Sequence, residues 1–292
     1  MSLIGRVENV LDHGFIRVVD VMGNDTAIVN AARVSYGGQP KPESQNRGLI
    51  NYLLRNDHTS PFEQAEIKFH VKMPMFVARQ WLRHRTANVN EVSARYTILP
   101  DEFYIPEEST IAKQSDSNKQ GRGDVIEYDD AKVIQAHISA ACKMAYGNYK
   151  SLLNQGLARE VARIILPVNI YTEFYWKIDA HNLLHFIRLR ADKHAQYEIR
   201  MYAKKLLEIV KDWLPLTFEA FQKYKVGAHL LSSNAKDVLT NGVCKNVEYD
   251  QESGLSKREW DEMIVPLLSN MHSIYLYVLS VILGSYIRSL FN

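Results

Sequence analysis

The stretch EQAEIKFHVKMPMFVARQWLRHRTANVNEVSARY, residues 63–96, decides how this chain folds. Ala65, Ile67, Phe69, Val71 and Met73 put an apolar group at every second position, with Glu66, Lys68, His70 and Lys72 between them. That alternation predicts a half-buried strand. Pro74 stops it. Pro is tolerated in the first turn of a helix, so Met75 to His84 predicts a helix with Val77, Ala78, Trp81 and Leu82 on its apolar side. Arg79, Gln80, Arg83 and His84 take the other side. The cationic face runs into Arg83-His84-Arg85, then a short segment with Asn88, Asn90 and Glu91, and ends in Ser93-Ala94-Arg95-Tyr96. A guanidinium is a planar fork of donors that matches phosphate, and Arg83, Arg85 and Arg95 so close together repel each other unless an anion sits among them.

Phe15 to Val21 predicts a strand ending at Gly23-Asn24-Asp25, and Ala27 to Tyr36 a helix closed by Gly37-Gly38. Gln45 to Leu54 predicts a second helix. It leads into the loop His58-Thr59-Ser60-Pro61-Phe62-Glu63, where Pro61 pushes Ser60 toward an extended conformation. Residues 107–124 are polar and longer than an ordinary loop, which points to disorder or to a functional flap. Asp129 to Asn154 predicts a long helix with Val133, Ile138, Met144 and Leu152 near its apolar side, and Cys142 in it is read as core or interface packing. Leu157 to Leu166 predicts a further helix that sets Arg159 and Arg163 on one face and is ended by Pro167. Val168, Ile170, Thr172, Phe174, Trp176 and Ile178 alternate with polar or half-polar residues and predict the second strong strand. Asp179 is a good N-cap for a helix through Ala191, and a longer helix runs through Trp213 and Pro215. The pattern as a whole predicts an α+β fold, a central antiparallel sheet packed by helices. Residues 1–226 are expected to form its main unit, and 227–292 a mostly helical C-terminal extension.

Composition narrows the function classes. With 292 residues, 46% hydrophobic and 23% charged, the chain can bury a real core. A formal net charge of +2 gives no global field for nucleic acid or membrane, so any preference for anions comes from local clusters. Cys142 and Cys244 make no metal-binding or redox spacing, so a reducing, cytoplasmic setting is expected. The apolar tract Ile274 to Ile287 is shorter than a membrane span and is interrupted by Ser280, Gly284 and Ser285, so it predicts a buried or interface helix. His181 and His185 are four apart, a spacing that zinc can use, but a zinc site needs further ligands and none is indicated.

Arg83-His84-Arg85, seven residues, Ser93, one residue and Arg95 resemble the R-H-R-x7-S-x-R signature of the flavin-dependent thymidylate synthases, the ThyX family. Ala78-Arg79-Gln80-Trp81 and Asn90-Glu91 fit the longer pattern. Ala32-Arg33-Val34-Ser35-Tyr36 and, more loosely, Leu189-Arg190-Ala191-Asp192 with Glu198-Ile199-Arg200 add to it. The resemblance covers about residues 10–225, and residues from about Gly227 lie beyond what the family core requires. It implies dUMP binding by Gln80, Arg83, Glu91, Ser93, Ala94, Arg95, Arg163 and Arg190. Arg95 and the backbone at Ser93 would hold the phosphate, and Arg190 would activate the uracil edge by favouring negative charge at N3 and O4. FAD contacts would come from Ser35, Ser60, Glu63, Arg83, His84, Arg85, Glu91, Asp179, His181 and His185, and His58 would lie on the folate side. Where some members carry Asn, Arg and Asn, this chain has Asp179, His181 and His185. A carboxylate cannot donate as an amide does and repels a flavin phosphate, so Asp179 is read equally as a plain N-cap. NADPH and 5,10-methylenetetrahydrofolate would be co-substrates, and the implied assembly is a homotetramer with sites built across subunits.

Two rival readings come from other function classes. A non-catalytic nucleotide or RNA-binding module would use the arginine cluster with Trp81 and Tyr96 for stacking, with strongly salt-dependent binding. A structural assembly protein built on the C-terminal apolar tract would lose association on truncation after Lys225.

Overall fold

The computed structural model describes residues 3–34, 42–116, 121–228 and 230–235. The backbone divides into two units, Met1–Val226 and Gly227–Asn292, and all the site geometry below belongs to the first. In chain order its elements are β1 (Val7–Val10), β2 (Gly14–Met22), α1 (Asp25–Ala32), α2 (Glu43–Arg55), β3 (Glu66–Pro74), α3 (Met75–Trp81), β4 (Asn88–Glu91), β5 (Ala112–Gln114), β6 (Arg122–Val125), α4 (Tyr128–Asn154), α5 (Arg159–Ala162), β7 (Tyr171–Asp179), α6 (Ala180–Arg190), α7 (Tyr197–Trp213) and α8 (Pro215–Phe221). In the second unit, Ser232 Oγ accepts from the Ala235 N–H at 3.2 Å. The helical tail expected over Ser256–Phe291 and the apolar tract Ile274–Ile287 lie outside the described residues. Among the described residues no helix is long and apolar enough to cross a membrane.

The sheet order is β1-β2-β3-β7-β4, antiparallel throughout. The two strands with the clearest alternation, β3 and β7, are central neighbours and pair from Glu66↔Asp179 to Pro74↔Tyr171. Ile67, Phe69, Val71 and Met73 bury one face of β3, and Phe174, Trp176 and Ile178 continue that face on β7. On it pack Val77 and Trp81 of α3, Leu183 and Phe186 of α6, and Ile199, Tyr202, Leu206 and Ile209 of α7. The opposite face carries polar pairs, His70 Nε2 with Glu173 Oε2 at 2.9 Å and Lys177 Nζ with Glu66 Oε1 at 2.9 Å. Asp25 ties α1 to α8: its buried carboxylate accepts from Leu216 N at 2.8 Å and Thr217 Oγ1 at 2.6 Å.

Several expectations need correction. The helix from Met75 ends at Trp81, not His84. Leu82 is its C-cap, and a turn from His84 N to Trp81 O at 3.0 Å redirects the chain so that 88–91 can pair with β7. The helix expected to reach Tyr36 stops at Ala32, and Gly37-Gly38 lies outside the described residues. Residues 107–124 are not simply irregular: β5 and β6 form an antiparallel pair, Ala112↔Val125 and Gln114↔Arg122. Leu157 to Leu166 yields only α5 and a 3₁₀ turn at Arg163–Ile165. Val168 is exposed and precedes β7, because its carbonyl is used to receive Phe76 N at the start of α3. Along α4 Val133 and Met144 are exposed, and only Ala131, Cys142 and Tyr149 are buried, so its apolar side is broader than this chain covers.

Candidate active site

A cleft of about 450 Å³ opens between α3, β4 and the 3₁₀ turn after α5, with Arg79, Arg83, Glu91, Ala94, Arg163 and Thr172 on its walls. Its position follows from the sheet. Edge strand β4 pairs with β7 up to Glu91↔Phe174, and Val92 N then donates to Glu173 O at 2.9 Å. Buried Thr172 on β7 donates its hydroxyl to Glu91 Oε1 at 2.6 Å and so fixes that carboxylate. After β4 the chain turns tightly. Ser93 O accepts from Tyr96 N at 3.0 Å and Thr97 N at 3.1 Å, while Ser93 Oγ accepts from Arg95 N at 3.3 Å. Arg95 leans out of this cleft, and its Nε donates to Glu160 Oε2 at 3.0 Å. Beside it Arg159 Nη1 donates to Tyr96 O at 2.8 Å.

A second cleft, about 370 Å³, shares Arg83 and adds His84, Arg85, Asn182, His185 and Arg190. Arg190 Nε donates to His84 Nε2 at 3.1 Å, and Arg190 Nη2 approaches the Gln80 carbonyl at 3.5 Å. Burial, then the charge of Arg190 and the neighbouring His185, holds His84 down at about 4. His84 is therefore neutral near pH 7. Because its Nε2 accepts, its proton sits on Nδ1. Its ring meets Phe186 edge-on with centroids 4.7 Å apart. Burial, followed by Arg188 and His181, also lowers His185. Burial likewise lowers Arg190, which as a guanidinium stays charged.

A third cleft shares His185 and is walled by Leu53, His58, Thr59, Phe62, His181 and Arg188. His58 stands edge-on to Tyr52, centroids 5.5 Å apart. The three clefts are thus neighbours: the first and second share Arg83 as a wall, and the second and third share His185. Ser60 and Glu63 sit at the 3₁₀ turn before β3, outside these clefts, with Glu63 N donating to Ser60 O at 3.3 Å. Asp179 caps α6: Oδ1 accepts from Asn182 N at 2.9 Å and Oδ2 from Asn182 Nδ2 at 2.7 Å. Ser35 lies outside the described residues. Among those described, no group of three or more His, Cys, Asp or Glu is arranged to hold a metal ion.

Sequence reasoning missed Thr172 and Asn182. Thr172 looks like any inward strand residue, and nothing local shows that Glu91 lies across from it. Asn182 had a readable signal, its place three residues after an N-capping Asp.

Residues 17–216 match the family model described as "Thymidylate synthase complementing protein". The flavin-dependent thymidylate synthase of Wolbachia pipientis wMel is 55% identical over 263 residues, 90% of this chain and 93% of that protein. That of Gluconobacter oxydans (strain 621H) is 54% identical over 261 residues, 88% of this chain and 86% of that protein. A crystal structure of a UMP/dUMP methylase, PolB from Streptomyces cacaoi, bound with 5-Br dUMP, superposes with a TM-score of 0.69 at 33% identity over 75% of this chain and 98% of that one. An alignment of 263 residues must extend past Val226, so the similarity to the Wolbachia protein continues into the C-terminal unit, further than the motifs alone indicated. With the family model matching two thirds of its length and relatives above 50% identity across most of it, the chain belongs to the flavin-dependent thymidylate synthases.

Proposed function

We propose that this enzyme converts dUMP to dTMP, taking a methylene group from 5,10-methylenetetrahydrofolate and reducing equivalents from NADPH by way of FAD, with release of tetrahydrofolate. The observation that carries the reading is the pair of neighbouring cationic clefts that share Arg83, with Arg79 and Arg163 on the first and Arg85 and Arg190 on the second, in a chain of this family. Gln80, Arg83, Glu91, Ser93, Ala94, Arg95, Arg163 and Arg190 would bind dUMP. The first cleft supplies Arg83 and Arg163 for charge, and Arg95, next in sequence to its Ala94, lines a separate cleft with Arg159 and Glu160.

The donor set of the second cleft fits a flavin dinucleotide. Arg83 and Arg85 offer cations, Asn182 an amide, and His84 an Nδ1–H. Ser35, Ser60, Glu63, Glu91, Asp179, His181 and His185 complete the proposed FAD contacts, and His58 the folate side. Flavin bound there supplies the hydride, and the protein supplies position and electrostatics. Arg190 is held by His84 with a charged guanidinium beside the nucleotide cleft, suited to stabilising negative charge as it develops on the uracil edge. Among the described residues the cysteine is Cys142, which is buried, accepts from Asn169 Nδ2 at 3.2 Å and lines none of the three clefts. The assembly proposed is a homotetramer, and exposed Val161, Ile164 and Val168, close in sequence to Arg163 of the first cleft, are apolar side chains that a second subunit would cover. The setting we propose is cytoplasmic.

The test is a visible spectrum of protein loaded with FAD and freed of excess, followed by anaerobic NADPH with and without dUMP. Retained flavin bands that bleach faster with dUMP are expected. Protein that neither holds FAD nor oxidises NADPH would overturn the reading.

A further inference from the structure

Outside the three clefts, Glu198 is a carboxylate only 1% exposed, in the first turn of α7. Four groups converge on it or on its partners. Arg122 of β6 forms an ion pair with Oε1 through Nη2. Tyr104 donates its hydroxyl to Oε1 at 3.2 Å, and Gln196 Nε2 donates to Oε2 at 2.8 Å. Gln80 Nε2 in turn donates to Gln196 Oε1. Arg122 is itself anchored, with Nη1 donating to Thr110 O at 3.0 Å and its guanidinium lying 5.3 Å from the Tyr197 ring centroid.

The chemistry of the carboxylate fixes the direction of this chain. An ionised carboxylate only accepts, so Gln196 must turn its NH₂ to Glu198 and its carbonyl oxygen to Gln80. Gln80 must then spend its own NH₂ on Gln196. Its Oε1, with no partner among the described residues, is left as a free acceptor, on the residue whose backbone carbonyl faces Arg190.

We propose that Arg122, Glu198 and Gln196 form a positioning relay that aims the Gln80 amide with its oxygen toward the nucleotide, so that the β5–β6 hairpin sets substrate affinity without touching substrate. This rests on the assignment of Gln80 to dUMP binding above. The acceptor would take a hydrogen bond from a donor on the nucleotide, and dUMP offers two, the ring N3–H and the sugar 3′-hydroxyl.

The test compares wild type with Gln196→Ala, Arg122→Ala and Arg122→Lys by dUMP titration calorimetry and by initial rates against dUMP. Gln196 is exposed, so its truncation leaves the core intact and keeps the test valid even where Arg122→Ala folds poorly. Gln196→Ala and Arg122→Ala are expected to weaken dUMP binding and raise KM by roughly 3- to 10-fold, the range of one neutral hydrogen bond, with kcat within about twofold. Arg122→Lys should recover most of the loss. With wild type, either 3′-deoxy or N3-methyl dUMP should bind worse by a similar factor, and that analogue should lose nothing further in Gln196→Ala, which identifies the donor. Folded Gln196→Ala with wild-type dUMP affinity overturns the relay alone. Wild-type protein that does not bind dUMP overturns the relay together with the site assignment it rests on.

Discussion

Arg190 Nε donates to the unprotonated Nε2 of His84 at 3.1 Å, on a histidine held at about 4 by burial and by that same arginine. A histidine whose folded value lies below its ordinary 6.5 takes up its proton more readily in the unfolded chain. The stability it lends is therefore fully present above about pH 6.5 and is lost as pH falls toward about 4. Melting curves between pH 7.5 and 4.5 should show wild type losing more stability than His84→Asn, which cannot titrate. Parallel curves would mean that His84 is not held neutral.

The two arginines assigned to opposite ends of the nucleotide should fail differently. Arg190 is half-buried and faces the reacting ring in the proposed arrangement. Arg190→Ala should cut kcat by about 10²-fold or more, as loss of one preorganised charge-stabilising donor does, while the melting temperature stays near wild type. Arg95 is exposed and pairs with Glu160, so Arg95→Ala should mainly raise the dUMP KM, by about 10-fold or more for a lost charge-assisted bond. Steady-state kinetics separate the two. If both variants keep wild-type rates at low dUMP, the assignment is wrong.

The parts of the fold that were legible are those whose signal is local. Residues 65–73 and 170–178 alternate over enough positions to declare strands, and they turned out to be the central pair, where one face is fully buried. β4 was unreadable because all four of its residues are exposed and its strand character comes from pairing with β7, a non-local cause. The β5–β6 hairpin hid in a polar run for the same reason, since Gln114 meets Arg122 through backbone pairing, not apolar alternation. Of the residues that the family resemblance singled out, Arg83, Glu91 and Ala94 line the first cleft. The residues that hold such groups in place, Thr172 for Glu91 and Gln196 with Glu198 for Gln80, come from distant segments and carry no sequence mark.

Asp179 is an N-cap first, with both carboxylate oxygens taken by Asn182. Asp179→Ala should cost about 0.5–2 kcal/mol, whereas Asp179→Asn should be nearly neutral because Asn caps as well as Asp. Removing the negative charge should also tighten FAD retention, read as a lower Kd in flavin fluorescence quenching. Weaker FAD binding by a folded Asp179→Asn variant would show that the carboxylate helps the cofactor instead of opposing it.

Trp81 ends the helix that carries Gln80 and leads into Arg83, and it is fully enclosed. Its ring lies 4.4 Å from Phe186, 4.8 Å from Trp176 and 6.1 Å from Tyr202, centroid to centroid. Its indole Nε1 is nonetheless buried without a hydrogen-bond partner. Trp81→Ala opens a cavity between sheet and helices and should cost about 3–5 kcal/mol in a urea titration. Trp81→Phe also loses volume, but it removes a buried unsatisfied donor whose desolvation costs about 1–3 kcal/mol, and this offsets part of the cavity term. The phenylalanine variant should therefore be much closer to wild type than the alanine one. It should also keep its dUMP affinity, because α3 stays seated. Equal destabilisation by the two substitutions would mean that the indole N–H has a partner in solution and that Trp81 is held by polarity as well as by packing.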